Sequence, residues 1–155
     1  MPKRRIRRIV EQAGVSCLIF LDSESEAYIT SSAIVRKTLM LAFALNAPIE
    51  LEVFDRSHLI KRIDPFEVSQ QPPQEEGRIS RLATQLTPQG NILELFVIKS
   101  SNEKAFRVLD EALQDLCLSS VINRASFKFS EVDGEILAAE LEDPAYEIVS
   151  SDAKV

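Results

Sequence analysis

The only histidine of the chain, His58, follows Ser57 and lies three residues after Asp55. An acid, a hydroxyl and an imidazole are the residue types of a hydrolase triad. A triad, however, is defined by the roles its members take in space and by donors that hold an oxyanion. Nothing beside Asp55, Ser57 and His58 supplies those donors, and His58 is read as a solvated turn residue. The acid pairs Glu50/Glu52 and Glu140/Glu142 are two residues apart, which puts both carboxylates on one face of a strand. Such a pair could hold a hard cation. It is also the wet face of an amphipathic strand, and that is the reading taken here.

The four glycines stand in turn-like positions, with no Gly-rich phosphate loop. Cys17 and Cys117 are flanked by Val15 and Leu18 and by Leu116 and Leu118. They read as free, buried thiols without metal-ligand spacing. No catalytic residue, metal or cofactor is assigned, and the chain is not expected to be an enzyme.

The strongest charge cluster is Lys3, Arg4, Arg5, Arg7 and Arg8, with Arg78 and Arg81 in a related segment further on. These are the candidate binding residues. They could contact phosphates. Single-strand binding also needs exposed aromatic rings, and Phe20, Phe43, Phe54, Phe127 and Phe129 stand mostly at positions expected to be buried. Ser80 replaces Arg7 in the related segment. Nucleic-acid binding through the basic first strand is therefore the alternative function.

The elements that position these residues come in a repeated order. Residues 4–12 read as a strand, Ala13-Gly14 as a turn and 15–21 as a second strand. A helix is expected over 29–46, with Thr30, Ser31 and Ser32 as cap candidates and Asn46 and Pro48 at its end. It is apolar on most sides, through Ile34, Val35, Leu39, Met40, Leu41 and Phe43. Strands over 49–54 and 59–63 follow, closed by Asp64-Pro65. The polar stretch 67–77 reads as a linker. Then come strands over 78–86 and 92–98, a helix from Ser101 or Asn102 to about Ser119, a strand over 125–130, an Asp133-Gly134 turn and a last strand over 135–141. Asp143-Pro144 closes the series, and 145–155 is an acidic tail.

Residues 5–12 and 78–85 match at four of eight positions: Arg5/Arg78, Ile6/Ile79, Arg8/Arg81 and Gln12/Gln85. The overlay continues through Leu18/Leu95 and Leu39/Leu116, with its gaps in turns. The expected fold class is α+β: two tandem ββαββ modules, 1–66 and 78–144, OB-like or small mixed sheets with one helix each. A module of about 60 residues is marginal alone, so the two should pack as a pseudo-dimer. Leu39, Met40, Phe43, Leu109 and Leu116 are the candidate packing residues between them.

The pattern in 5–10, 18–21, 42–53 and 59–63, and again in 78–83, 95–98, 109–116, 127–129 and 136–141, resembles the small OB-like barrels of bacterial AB5-toxin B subunits and their non-toxin relatives. The resemblance implies a binding or assembly role. The B subunits also have a disulfide, a further strand and a sugar-binding surface that this sequence does not display.

The balance of 45% hydrophobic and 27% charged residues is that of a globular chain. The apolar run over 38–47 is too short for a membrane span, which takes about 20 residues. The basic start lacks the apolar core of a signal peptide, so a cytoplasmic protein without membrane partners is expected. Net charge is −6, unevenly spread: residues 1–66 hold ten cations and eight acids, and 67–155 hold eight and sixteen. Such polarity favours head-to-tail association or an acidic-partner face. The leading expectation is a non-catalytic assembly protein that docks a protein partner or another copy of itself.

Overall fold

The computed structural model describes residues 3–14, 16–68, 77–123 and 125–142. Most of the expected linker, the Asp143-Pro144 pair and the expected tail lie outside the described residues. Among the described residues the elements run β1 (Ile6–Val10), β2 (Cys17–Leu21), β3 (Ala27–Thr30), α1 (Ala33–Ala44), β4 (Leu51–Val53), β5 (Ile60–Glu67), β6 (Ile79–Thr87), β7 (Gly90–Lys99), β8 (Asn102–Val108), α2 (Glu111–Asn123), β9 (Ser126–Val132) and β10 (Glu135–Glu142). The chain is mixed α+β, with one sheet ordered β1-β2-β3 and another ordered β4-β5-β6-β7-β8-β10-β9.

Among the described residues two isolated bridges join the sheets: an antiparallel one between Arg4 and Ile49, and a parallel one between Ile29 and Leu59. The first places the start of β1 against the entry to β4. The second places β3 beside the start of β5.

Each half of the chain has three strands before its helix, not two. Residues 29 and 30 are expected as the start of the helix and are instead the end of β3. Tyr28 and Thr30 bury one side of this strand, which pairs with β2 from Cys17↔Thr30 to Phe20↔Ala27. The expected second helix also starts late. Its first residues form β8, which buries Phe106 and Val108 and pairs with β7 along its whole length. Ser100 and Ser101, at φ 52° and 66°, make the tight turn between them. Two consecutive left-handed residues suit a hairpin turn that matches strand twist.

The helices begin at the caps that follow. The Ser32 hydroxyl accepts from the Val35 N–H at 3.3 Å, and the Asp110 carboxylate accepts from the Leu113 N–H at 3.0 Å. Each satisfies one of the donors that a helix start leaves open. α1 ends where Asn46 turns left-handed at φ 54° before Pro48.

Asp64-Pro65 does not end the strand. β5 runs through it to Glu67, and Pro65 lies in a bulge between the pairs Ile63↔Thr84 and Phe66↔Leu82. A proline at a bulge removes no ladder bond. β5 thereby pairs with β4 on one side and with β6 on the other. Phe66, at 1% exposure, sits on this seam.

The same local geometry occurs in both halves. β1 skips Arg7 between Ile6↔Leu21 and Arg8↔Phe20, and β6 skips Ser80 between Ile79↔Val97 and Arg81↔Phe96. The N–H of Ile29 donates to His58 O, and that of Arg107 to Gly134 O. Both fall at parallel contacts, Ile29/Leu59 and Arg107/Glu135. β5 skips Lys61, and β10 skips Leu137. The registers put Ile19 in the position of Leu95, one residue from the Leu18/Leu95 overlay of the sequence.

The core is continuous across the halves and includes Ile19, Val35, Leu39, Ile63, Phe66, Leu82, Leu95 and Ile136. Each such side chain contributes about 1.5–3 kcal/mol relative to exposure. α1 and α2 are linked by Lys37 Nζ to Asp115 at 2.6 Å. Gln114 Nε2 donates to Asn91 O and Val108 O, both at 2.9 Å, and Asn91 donates to the Ser32 hydroxyl. Of the candidate packing residues, Leu39 is buried and Leu116 half-buried, while Met40, Phe43 and Leu109 are exposed. α1 therefore shows an apolar face to solvent, where its all-round apolar sequence led us to expect burial on most sides.

Candidate functional site

The N-terminal arginines are ordered by the backbone around them. Arg4 donates to Asp22 O and lies 3.5 Å from Glu24. Arg5 Nε donates to Asn46 O at 3.0 Å. Arg7, turned outward by the bulge in β1, donates to Leu21 O and Glu24 O. Arg8 stacks over Phe20, 5.2 Å from the ring centroid, with Arg7 also over that ring at 5.3 Å. Lys3 and Arg8 are exposed.

Arg81 repeats the Arg8 position. It stacks over Phe96 and grips Glu103. The Arg81 hydrogen bonds hold the Glu103 carboxyl below the usual carboxylate range, helped by the Ser80 hydroxyl against the opposing effect of burial. Arg78 is exposed just before β6. The candidate cations thus fall on two sheets, Lys3 to Arg8 on or next to β1 and Arg78 and Arg81 on or next to β6.

His58 lies in an exposed turn, with Nε2 3.1 Å from Glu26 and its ring edge-on to Tyr28. Burial and a hydrogen bond to Glu24 push the Tyr28 hydroxyl up to about 12. Asp55 and Ser57 are exposed too, and Ser57 donates to Phe54 O and accepts from the Leu59 N–H. Those bonds build the turn and leave the hydroxyl no role toward His58. Among the described residues no group of three or more His, Cys, Asp or Glu side chains could hold a metal ion. Cys17 and Cys117 are free and buried. Burial raises both thiols, that of Cys117 to about 12.

Sequence reasoning missed the distal end of the second half. β9 and β10 flank an open depression of about 300 Å³ lined by Lys128, Phe129, Ser130, Ala138, Ala139 and Glu140. Phe129 stacks on Phe127 and meets Phe106 edge-on, with Lys99 Nζ 4.7 Å from its centroid. Nearby in sequence, Ile122, Val132 and Leu137 are more than half exposed. The skipped residue Leu137 of β10 lies next in sequence to this lining, and no sequence motif marks a bulge there. Among the described residues no helix is long and apolar enough to cross a membrane.

No family model, curated protein or solved structure matches the chain.

Proposed function

We propose that the chain is a non-catalytic assembly protein made of two copies of one five-stranded OB-like unit, which docks a protein partner or a further copy of itself. Duplication is supported by the shared order of three strands, helix and two strands, the matched bulges, the matched caps and the parallel contact of third and fifth strand in each half. An OB-like unit is a five-stranded, partly open barrel. The third strand before each helix brings each half to the five strands that such a unit needs.

The observation that carries the assembly reading is the seam. β5 of the first half lies antiparallel against β6 of the second, Arg62↔Gln85 through Glu67↔Arg81. One unit of this kind already docks on another by strand addition, a mode in which main-chain bonds supply affinity and side chains supply specificity.

The nucleic-acid reading draws less support. Arg4, Arg5 and Arg7 are committed to the chain's own carbonyls, and Arg81 to Glu103. Light scattering over a range of concentrations, with a pull-down on immobilised protein, tests the assembly reading. Self-association or a saturable protein partner is the expected result. A strict monomer that retains no partner overturns it.

A further inference from the structure

Each half leaves an edge that matches one side of the seam. On β10, the position of Arg62 in β5 is held by Ala138, and that of Ile63 by Ala139, because the skipped residues Lys61 and Leu137 correspond. In β5 this stretch receives β6. In β10 the side toward β8 holds a single pair, Glu135↔Arg107, so residues 137–141 have no strand on that side among the described residues. On β1 the positions of Arg81 and Leu82 are held by Arg8 and Ile9, and just past its end that of Gln85 is held by Gln12. In β6 this stretch receives β5. In β1, beyond the Arg4 bridge, residues 7–10 pair with β2 alone among the described residues. An open strand edge is a template for another strand.

The two edges also carry opposite charge. Residues 3–12 hold Lys3, Arg4, Arg5, Arg7 and Arg8 against Glu11, a net of +4. Residues 125–142 hold Lys128 against Glu131, Asp133, Glu135, Glu140 and Glu142, a net of −4. Complementary potentials of this kind guide encounter and fix register.

We infer that the open edge of β10 in one copy of this chain takes β1 of a second copy as an antiparallel neighbour, repeating between molecules the register that joins β5 to β6 within one. This rests on the assembly reading and names its partner as the chain itself. In this register Ala138 faces Gln12 of the next copy, as Arg62 faces Gln85 within the chain. Such a contact is heterologous, so it propagates head to tail until a ring closes or a filament grows. Leu137 and Ala138, exposed in the single chain, lie beside the join.

The test is a cross-link between two single variants of the full chain, Gln12→Cys and Ala138→Cys. Both sites are exposed, and the native Cys17 and Cys117 are buried. Circular dichroism melts establish that each variant folds like the wild type. Under mild oxidation an equimolar mixture should give a disulfide-linked dimer that neither variant gives alone. In sedimentation the wild-type chain should grow in mass with concentration, and Arg7→Glu with Arg8→Glu should weaken that growth about tenfold or more at low salt. Growth in mass without the 12–138 cross-link overturns this edge-to-edge register and leaves the assembly reading standing. A monomer at every concentration also overturns the inference; the assembly reading falls with it only if the pull-down is empty as well.

Discussion

The Arg81 guanidinium carbon lies 4.4 Å from the ring centroid of Phe96, its direct neighbour across the β6–β7 pair. The same guanidinium meets Glu103 at 2.6 Å. A cation over an aromatic face at a partly exposed site contributes about 0.5–1 kcal/mol, and a partly exposed ion pair about 0.2–1 kcal/mol. Arg81→Ala should therefore cost about 1 kcal/mol in denaturant unfolding.

That cost should depend on pH. Arg81 lowers the folded-state pKa of Glu103. A lowered carboxyl contributes stability that is present above the ordinary carboxylate range and is lost as pH falls through the folded value. The gap between wild type and Arg81→Ala should be widest near neutrality and close in acid. A gap independent of pH would show that ring stacking alone holds Arg81.

The seam at Phe66 makes a second prediction. Phe66 is buried opposite Leu82, where the strands of the two halves meet. Phe66→Ala should cost about 3–5 kcal/mol. Because the core and the seven-stranded sheet run through both halves, the wild type should unfold in one transition by fluorescence-independent probes such as circular dichroism and calorimetry. Two separated transitions in the wild type would mean that the seam does not couple the halves.

Much of this architecture was legible because apolar periodicity carries it. β2, β7 and the Asp133-Gly134 hairpin stand where alternation and turn chemistry put them. β3 and β8 were not legible for opposite reasons. β3 is four residues long and is separated only by Ser31 from Ser32, which caps α1. β8 contains Ala105, whose spacing with Leu109, Ala112 and Leu116 imitates a helical stripe and masks the alternation of Phe106 and Val108. The turn between Ser100 and Ser101 takes left-handed geometry without glycine, so it left no signal. At the basic strand, residue types were legible but their bonds were not. Whether Arg7 reaches Leu21 O depends on a bulge, which is set by pairing with a strand elsewhere in the chain.

Gln114 offers a third test. Its amide nitrogen is the donor for two carbonyls, of Asn91 and Val108, and the residue is only 3% exposed. Gln114→Ala removes the donor and leaves the buried Val108 carbonyl, and the part-buried one of Asn91, to find other partners. The expected loss is about 1–3 kcal/mol. Asn91 also reaches the Ser32 cap of α1, so hydrogen exchange should quicken in the first turn of α1 as well as around β7. A local effect at α2 alone would place Gln114 outside the contact between the halves.

Alkali should unfold the chain through its buried acids, Cys17 among them. Burial raises Cys117 and Tyr28 each to about 12. A raised folded value means that stability is complete below the unfolded pKa and drains as pH rises toward the folded one. Stability should hold to about pH 8.5, the ordinary thiol value, and then decline toward pH 12. Cys117→Ala should flatten the first part of that decline. In the folded protein at pH 8 a thiol reagent should leave Cys117 unmodified, and in guanidinium it should label both cysteines. Rapid labelling of Cys117 in the folded protein would contradict its burial.

The basic strand gives the last prediction. Phosphate binding by arginines releases counterions and falls steeply with salt. Here Arg4, Arg5 and Arg7 already donate to carbonyl oxygens of the turns around them, and the chain as a whole is at −6. A phosphate would have to displace those bonds against an unfavourable field. In filter binding at physiological salt, single-stranded DNA should be retained no better by the wild type than by the Arg4/Arg5/Arg7/Arg8→Ala variant. The same variant should be measurably less stable, since the carbonyls of Asp22, Leu21, Glu24 and Asn46 lose their guanidinium donors. Retention that is salt-dependent and lost in the variant would reverse the order of the two functional readings, because those cations would then be serving a ligand in addition to the strand they hold.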